Sequence, residues 1–135
     1  MTKGLVLAGG GAKGSYQVGV YKALSELDWH AGVIAGTSVG CLNGALFALD
    51  NWELAQEMWL TIGDDQVMEP AADGRPADWG DFLQAAVEHG GMDVTPLEAT
   101  VRRVVDEQAL RAAPVRYGLV TVQLNQFSVF ISSQA

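Results

Sequence analysis

Two apolar runs break abruptly into glycine-rich turns, and that pairing limits the chain to few architectures. Leu5-Val6-Leu7-Ala8 runs into Gly9-Gly10-Gly11-Ala12-Lys13-Gly14, and Val33 to Ala35 runs into Gly36-Thr37-Ser38-Val39-Gly40. A helical pattern follows each turn. Strand, helix and strand within about thirty residues is the βαβ unit of a parallel sheet, so the fold class is α/β. At 135 residues the chain is read as one domain.

Further along, the first helix is expected from Ser15 to Leu27, with Val20, Leu24 and Leu27 on its buried face. A second helix runs from Val39 to Leu49. A third begins at Asn51, with Ala55, Met58 and Trp59 as its apolar side. From Thr61 to Gly80 the pattern dissolves into turn residues, Asp64, Asp65, Pro70, Gly74 and Pro76 among them. A loop of that length is read either as a lid, with Met68 and Trp79 as its apolar cover, or as a surface excursion. Asp81 to Glu88 reads as a short helix closed by Gly90. Thr95-Pro96-Leu97-Glu98 is a capping box opening another helix, whose stripe is Leu97, Val101, Val104 and Val105. Tyr117 to Leu124 and Phe127 to Ile131 read as two strands joined through Asn125-Gln126.

Composition removes several classes of function. Sixteen acidic residues against eight basic ones give a formal net charge of −8, and no basic cluster offers itself to nucleic acid. One cysteine, Cys41, excludes an internal disulfide and a cysteine-based metal site. It is expected to pack as a small residue near the second turn. No stretch reaches the apolar length of a signal-peptide core or a membrane span. The expected setting is cytoplasmic.

The first turn fits G-x-G-x-x-G through Gly9, Gly11 and Gly14, which invites a dinucleotide-binding, Rossmann-type reading. That reading needs an acid at the end of the second strand. The chain has Ala35-Gly36-Thr37 there, and Asp28 precedes the strand. A Walker loop fails as well, because Lys13 stands before Gly14. The other use of such a turn is to aim backbone N–H groups, helped by a helix dipole, at a developing oxyanion. The second turn is G-x-S-x-G between a strand and a helix, the context that lifts a serine hydroxyl clear of a sheet. Turns following neighbouring parallel strands open on the same edge of the sheet. Together they make an acyl-transfer site. Lys13, in the first turn of a helix, opposes the helix dipole and is read either as a partner for an anionic headgroup or as a solvated cation.

On these residues, from Gly4 through the second helix and including Asn43-Gly44-Ala45, the sequence resembles the patatin-like phospholipase family. The resemblance implies a three-layer α/β/α fold with a mainly parallel sheet. It further implies a lipid acyl hydrolase with a serine–aspartate dyad without histidine; no cofactor or metal is expected. By position the resemblance implies Ser38 as the nucleophile, flanked by Gly36, Thr37, Val39 and Gly40. The oxyanion hole lies within Gly9, Gly10, Gly11, Ala12, Lys13 and Gly14, with Gly10 and Gly11 as donors. The implied substrate is a lipid or ester, met at a membrane surface.

The family's aspartate lies in an Asp-Gly-Gly or Asp-Gly-Ala turn after later strands. Asp73-Gly74-Arg75 departs from that pattern and reads as a surface turn. The aspartate is expected beyond residue 135, the domain to be incomplete at its C-terminus, and the chain alone to be weak or inactive. His30 reads as a boundary residue. His89-Gly90-Gly91 falls after the serine, where the oxyanion loop of an esterase would precede it. Two alternatives stay open: the dinucleotide-binding module, and a non-catalytic fragment that needs a partner to cover a sheet edge.

Overall fold

Alternating side chains and glycine breaks set the strands and their ends. The computed structural model describes residues 1–62, 95–123 and 128–133. The strands are β1 (Gly4–Leu7), β2 (Val33–Thr37), β3 (Arg116–Gln123) and β4 (Ser128–Ser133). They form a sheet in the order β1-β2-β3-β4. β1, β2 and β3 are parallel, and β4 returns antiparallel to β3, as the expected hairpin requires. Its connecting residues lie outside those described. Cross-strand register aligns Leu5 with Ile34 and Tyr117, and Leu7 with Gly36 and Leu119, so these residues share one face.

The helices in chain order are α1 (Gly14–Glu26), α2 (Val39–Ala48), α3 (Trp52–Thr61), α4 (Thr95–Val104) and α5 (Glu107–Ala112). A single 3-10 turn, Gly11–Lys13, leads into α1. A mainly parallel sheet with flanking helices is consistent with the three-layer α/β/α fold.

α2 is apolar on nearly every side, and it is buried accordingly: Asn43 to Ala48 are all inaccessible. It lies on the Leu7–Ile34–Tyr117 face, and at Gly44 a Cβ would stand 3.1 Å from Ile34 Cγ2 and 3.2 Å from Tyr117 Cε2. α1 packs against α2 through Tyr21, whose ring stacks on Phe47 with centroids 4.0 Å apart. Both helices stop at an aspartate in the left-handed region, Asp28 and Asp50. The next residue then bonds back into the last turn, Trp29 N–H to Leu24 O and Asn51 N–H to Leu46 O.

One expectation is corrected. The buried face of α1 is Gly14, Val18 and Tyr21, whereas Val20 and Leu27 are exposed. The cause is the partner: α2 presents Phe47, whose ring takes that of Tyr21. Leu27 also falls past the helix, at its C-cap. α5 is an addition, absent from the sequence reading. Asp106 caps it by accepting from the N–H groups of Gln108 and Ala109.

The chain divides into two units, Met1–Leu60 with Val105–Ala135, and Thr61–Val104. In the second, Leu97, Val101 and Val104 are partly covered, while Arg102 and Arg103 face water. Glu98 and Arg102 pair along the exposed side of α4. The expected lid beyond Ile62, the 81–88 helix, Asp73 and the His89 turn lie outside the described residues.

Candidate active site

The N-terminal turn of α2 begins at a backbone conformation that an L-residue resists. Ser38 has φ 53° and ψ −130°, the only described residue between β2 and α2, and it is not a glycine. Such a conformation costs on the order of 1–3 kcal/mol and persists only where surrounding contacts hold it. Two glycines hold it here. A Cβ on Gly36 would lie 2.3 Å from Gly40 O, and one on Gly40 would lie 2.4 Å from Leu7 O. Strand β2, the turn and helix α2 therefore close on one another, and on the end of β1, more tightly than any side chain permits. The Ser38 carbonyl accepts from Cys41 N–H at 2.8 Å as the helix starts.

The glycine loop after β1 meets this turn. A Cβ on Gly9 would stand 3.0 Å from Ser38 Cβ, 3.5 Å from Thr37 O and 3.7 Å from Ser38 Oγ. The two loops thus converge on the same side, with the serine against Gly9. Gly10 (φ 148°) and Gly11 (φ 54°) both take backbone conformations that favour glycine. Neither N–H group donates to a backbone carbonyl among the described residues. Beside Gly11 there is open space to 4 Å, and beside Gly10 only the Lys13 side chain. Ala12 and Lys13 are exposed, and Lys13 joins none of the ion pairs among the described residues. Gly14 is buried: a Cβ there would meet the Trp59 ring at 2.5 Å and Val39 Cγ2 at 2.7 Å. Thr37 and Ser38 are exposed, Val39 is half-buried and Gly40 buried.

Residues 5–133 match the sequence model of the family described as Patatin-like phospholipase. The chain belongs to that family. Among individual relatives it is similar to "Lysophospholipase nte1" of Aspergillus terreus, 60% identical over 47 residues that make up 35% of this chain and 3% of the relative. "Patatin-like phospholipase domain-containing protein 7" of Rattus norvegicus is 54% identical over 44 residues, 33% of this chain and 3% of that protein. The aligned stretch is thus a small part of these much longer relatives.

Among the described residues no carboxylate accepts a hydrogen bond from Ser38 Oγ. Asp28 instead bonds His30 Nε2 at 2.9 Å, both well exposed. Cys41, one turn into α2, is half-buried, and that burial raises its thiol pKa despite opposing hydrogen bonds at Val120, Tyr117 and Ser38. A thiol held protonated is a poor rival nucleophile. Tyr117 donates to Cys41 O at 2.8 Å, tying β3 to α2, and its own pKa is raised by burial first and by Cys41 second.

A polar network behind the loop is missing from the sequence reading. Asn43 is 3% exposed in the middle of apolar α2. Its Nδ2 donates to Gly14 O and to Gln17 Oε1, each at 2.9 Å, and its Oδ1 accepts from Trp59 Nε1 at 2.9 Å. Gln17 Nε2 in turn donates to Ala8 O at 2.7 Å. The signal available in the sequence was a lone carboxamide within Cys41-Leu42-Asn43-Gly44-Ala45-Leu46-Phe47, a buried stretch where any polar group needs partners.

Proposed function

We propose that this chain carries the serine and oxyanion loop of a lipid acyl hydrolase of the phospholipase or lysophospholipase type. Ser38 Oγ attacks the ester carbonyl, and the Gly9–Gly14 loop holds the tetrahedral oxygen through the N–H groups of Gly10 and Gly11. The observation that carries this reading is the approach of Gly9 to Ser38, 3.7 Å from a Gly9 Cβ position to Ser38 Oγ. A carbonyl carbon at Ser38 would have its oxygen beside the first amides of the turn leading into α1. There the dipole of α1 adds to the amide donors. Each such donor supplies about 3–4 kcal/mol in the transition state.

Proton removal falls, by family resemblance, to an aspartate, which must come within about 2.6–3.2 Å of the hydroxyl. Lys13 offers a cation at the mouth for an anionic headgroup. Among the described residues no helix is long and apolar enough to cross a membrane.

The dinucleotide reading has less support. β2 ends in Gly36-Thr37 with no ribose-binding acid, and Asp28 is engaged with His30. The deciding experiment is labelling with a fluorophosphonate. The hydrolase reading expects one equivalent on Ser38, lost in Ser38→Ala. Saturable NAD binding by calorimetry, with no serine labelling, would overturn it.

A further inference from the structure

Both ends of the glycine loop are tied down by one chain of side-chain amides. At the entry, Ala8 O accepts from Gln17 Nε2 at 2.7 Å. At the exit, Gly14 O accepts from Asn43 Nδ2 at 2.9 Å. The two clamps are linked, since Asn43 Nδ2 also donates to Gln17 Oε1 at 2.9 Å, and Trp59 Nε1 fixes Asn43 Oδ1 from α3. The linkage settles which end of each amide is which. Asn43 must turn its NH2 toward two oxygens and its oxygen toward an N–H, and Gln17 must then offer its own NH2 to Ala8. No buried side-chain polar atom among the described residues lacks a partner.

We propose that Gln17 and Asn43 are positioning residues: the Trp59–Asn43–Gln17 relay holds the Gly9–Gly14 loop so that its free N–H groups face Ser38. Asn43 is five residues after Ser38 on a helix whose first turn is locked against β1. The same rigid α2 therefore carries both the serine and the clamp on the donors. Local bonds shape the turn itself, Lys13 N–H to Gly10 O at 3.1 Å and Ser15 Oγ to Ala12 O at 2.9 Å, but they do not tie it to α2. Gly9, Gly10 and Gly11 have no side chains, and their amides must stay unpaired to serve an oxyanion. Trp59 reinforces the exit by packing its ring on Gly14, leaving no space for a Cβ there. The proposal rests on the reading of Ser38 and the loop given above.

The test uses the full chain with Gln17→Met, which keeps length and helix propensity but loses the donor to Ala8 O, and with Asn43→Asp, which keeps the acceptor for Trp59 but loses both donated bonds. Gln17 is only half-buried, so its variant remains informative even where the Asp variant fails to fold. Tyr21→Phe, which removes a hydrogen bond elsewhere between α1 and α2, is the control. Two readouts are needed. The maximal rate of fluorophosphonate capture by Ser38 should fall at least about 10-fold in Gln17→Met, short of the ~10²–10³ that deleting a donor outright costs. The probe's half-saturation should change little, and Tyr21→Phe should react as the parent does. Backbone order parameters of the Gly10 and Gly11 amides should drop from rigid values near 0.85 toward 0.6 or below. Unchanged order parameters in folded Gln17→Met overturn the clamp, and lowered ones with an unchanged capture rate overturn its role in the reaction. A parent chain in which Ser38 is never labelled overturns the hydrolase reading instead, leaving the order parameters to decide the clamp alone.

Discussion

Gly40→Ala and Gly19→Ala ask opposite things of the same substitution. Both glycines sit inside helices, where alanine is intrinsically favoured by about 0.8–1.0 kcal/mol. Gly19 on α1 is exposed with nothing within 4 Å of its Cβ position, so that gain should be realised almost in full. At Gly40 the new carbon would lie 2.4 Å from Leu7 O, 2.7 Å from Leu7 C and 2.8 Å from Ala8 O. These are backbone atoms at the end of a paired strand, with no rotamer to change. Moving the carbon from 2.4 Å out to the 3.4 Å of ordinary contact displaces the first turn of α2 by about 1 Å.

Overpacking of this kind costs about 1–3 kcal/mol, and immovable neighbours place Gly40 at the upper end. Set against the helix gain, the net loss is about 2 kcal/mol, a fall in melting temperature of roughly 8 °C. The same displacement moves Ser38 relative to Gly9, and a misplacement of ~1 Å costs on the order of 10² in rate. Calorimetry of both variants, with fluorophosphonate capture on each, reads stability and geometry separately. A Gly40→Ala protein as stable as Gly19→Ala and labelled at the parent's rate would show that α2 does not lean on β1, and the account of the elbow would fall.

The buried stack and the strand tie give further tests. Phe47→Ala should destabilise by about 3–5 kcal/mol in urea unfolding, since Phe47 is 1% exposed and stacked on Tyr21; a loss under 1 kcal/mol would mean the stack is not core. Tyr117→Phe removes the phenol's bond to the Cys41 carbonyl, which stays in the hydrogen-bond ladder of α2, and should cost about 0.5–1.5 kcal/mol with the fold retained by circular dichroism. Burial keeps Tyr21, Tyr117 and Cys41 protonated in the folded state above their ordinary values of 10.0 for the phenols and 9.0 for the thiol. The unfolded chain releases those protons first. Stability should therefore be complete below about pH 9 and fall as pH rises past it. Tyr117→Phe should flatten that alkaline decline, and urea midpoints from pH 8 to 11 that stay level in the parent would contradict it.

What could be read from the sequence was local. β1, β2, α1 and α2 follow from apolar runs interrupted by glycines, and those signals reside within a few residues. The face of α1 could not be read that way. Val20, Leu24 and Leu27 form an acceptable stripe, but the choice was made by Phe47, 26 residues from Tyr21 in sequence and in ring contact with it. α5 is six residues long and carries no stripe, so only its Asp106 cap and the Glu107–Arg111 pair announce it. Ser38 and Gly9 were each visible as motif residues. Their proximity was legible only through the parallel pairing that brings the ends of β1 and β2 to one edge.

The strained serine and the crowded glycines are one device. A serine at φ 53° relaxes unless its neighbours leave it no other path, and flexible glycines on both sides would ordinarily provide that path. Here Gly36 and Gly40 are used for closeness: each lets backbone approach backbone where a methyl group would hold it off. The contact between the α2 start and the Leu7 and Ala8 carbonyls then converts stability of the sheet into a fixed direction for the Ser38 side chain. In the proposed oxyanion role the loop opposite has the reverse requirement: the Gly10 and Gly11 amides stay free, while Gly10 O is engaged by Lys13 N–H. The loop is held from behind, by Gln17 and Asn43 at its two ends. A serine fixed by backbone contact and a loop tied back by side-chain amides can be perturbed separately, which is why substitutions at Gly40 should lower stability and capture rate together, whereas Gln17→Met should lower the rate by more than its loss of two hydrogen bonds lowers stability.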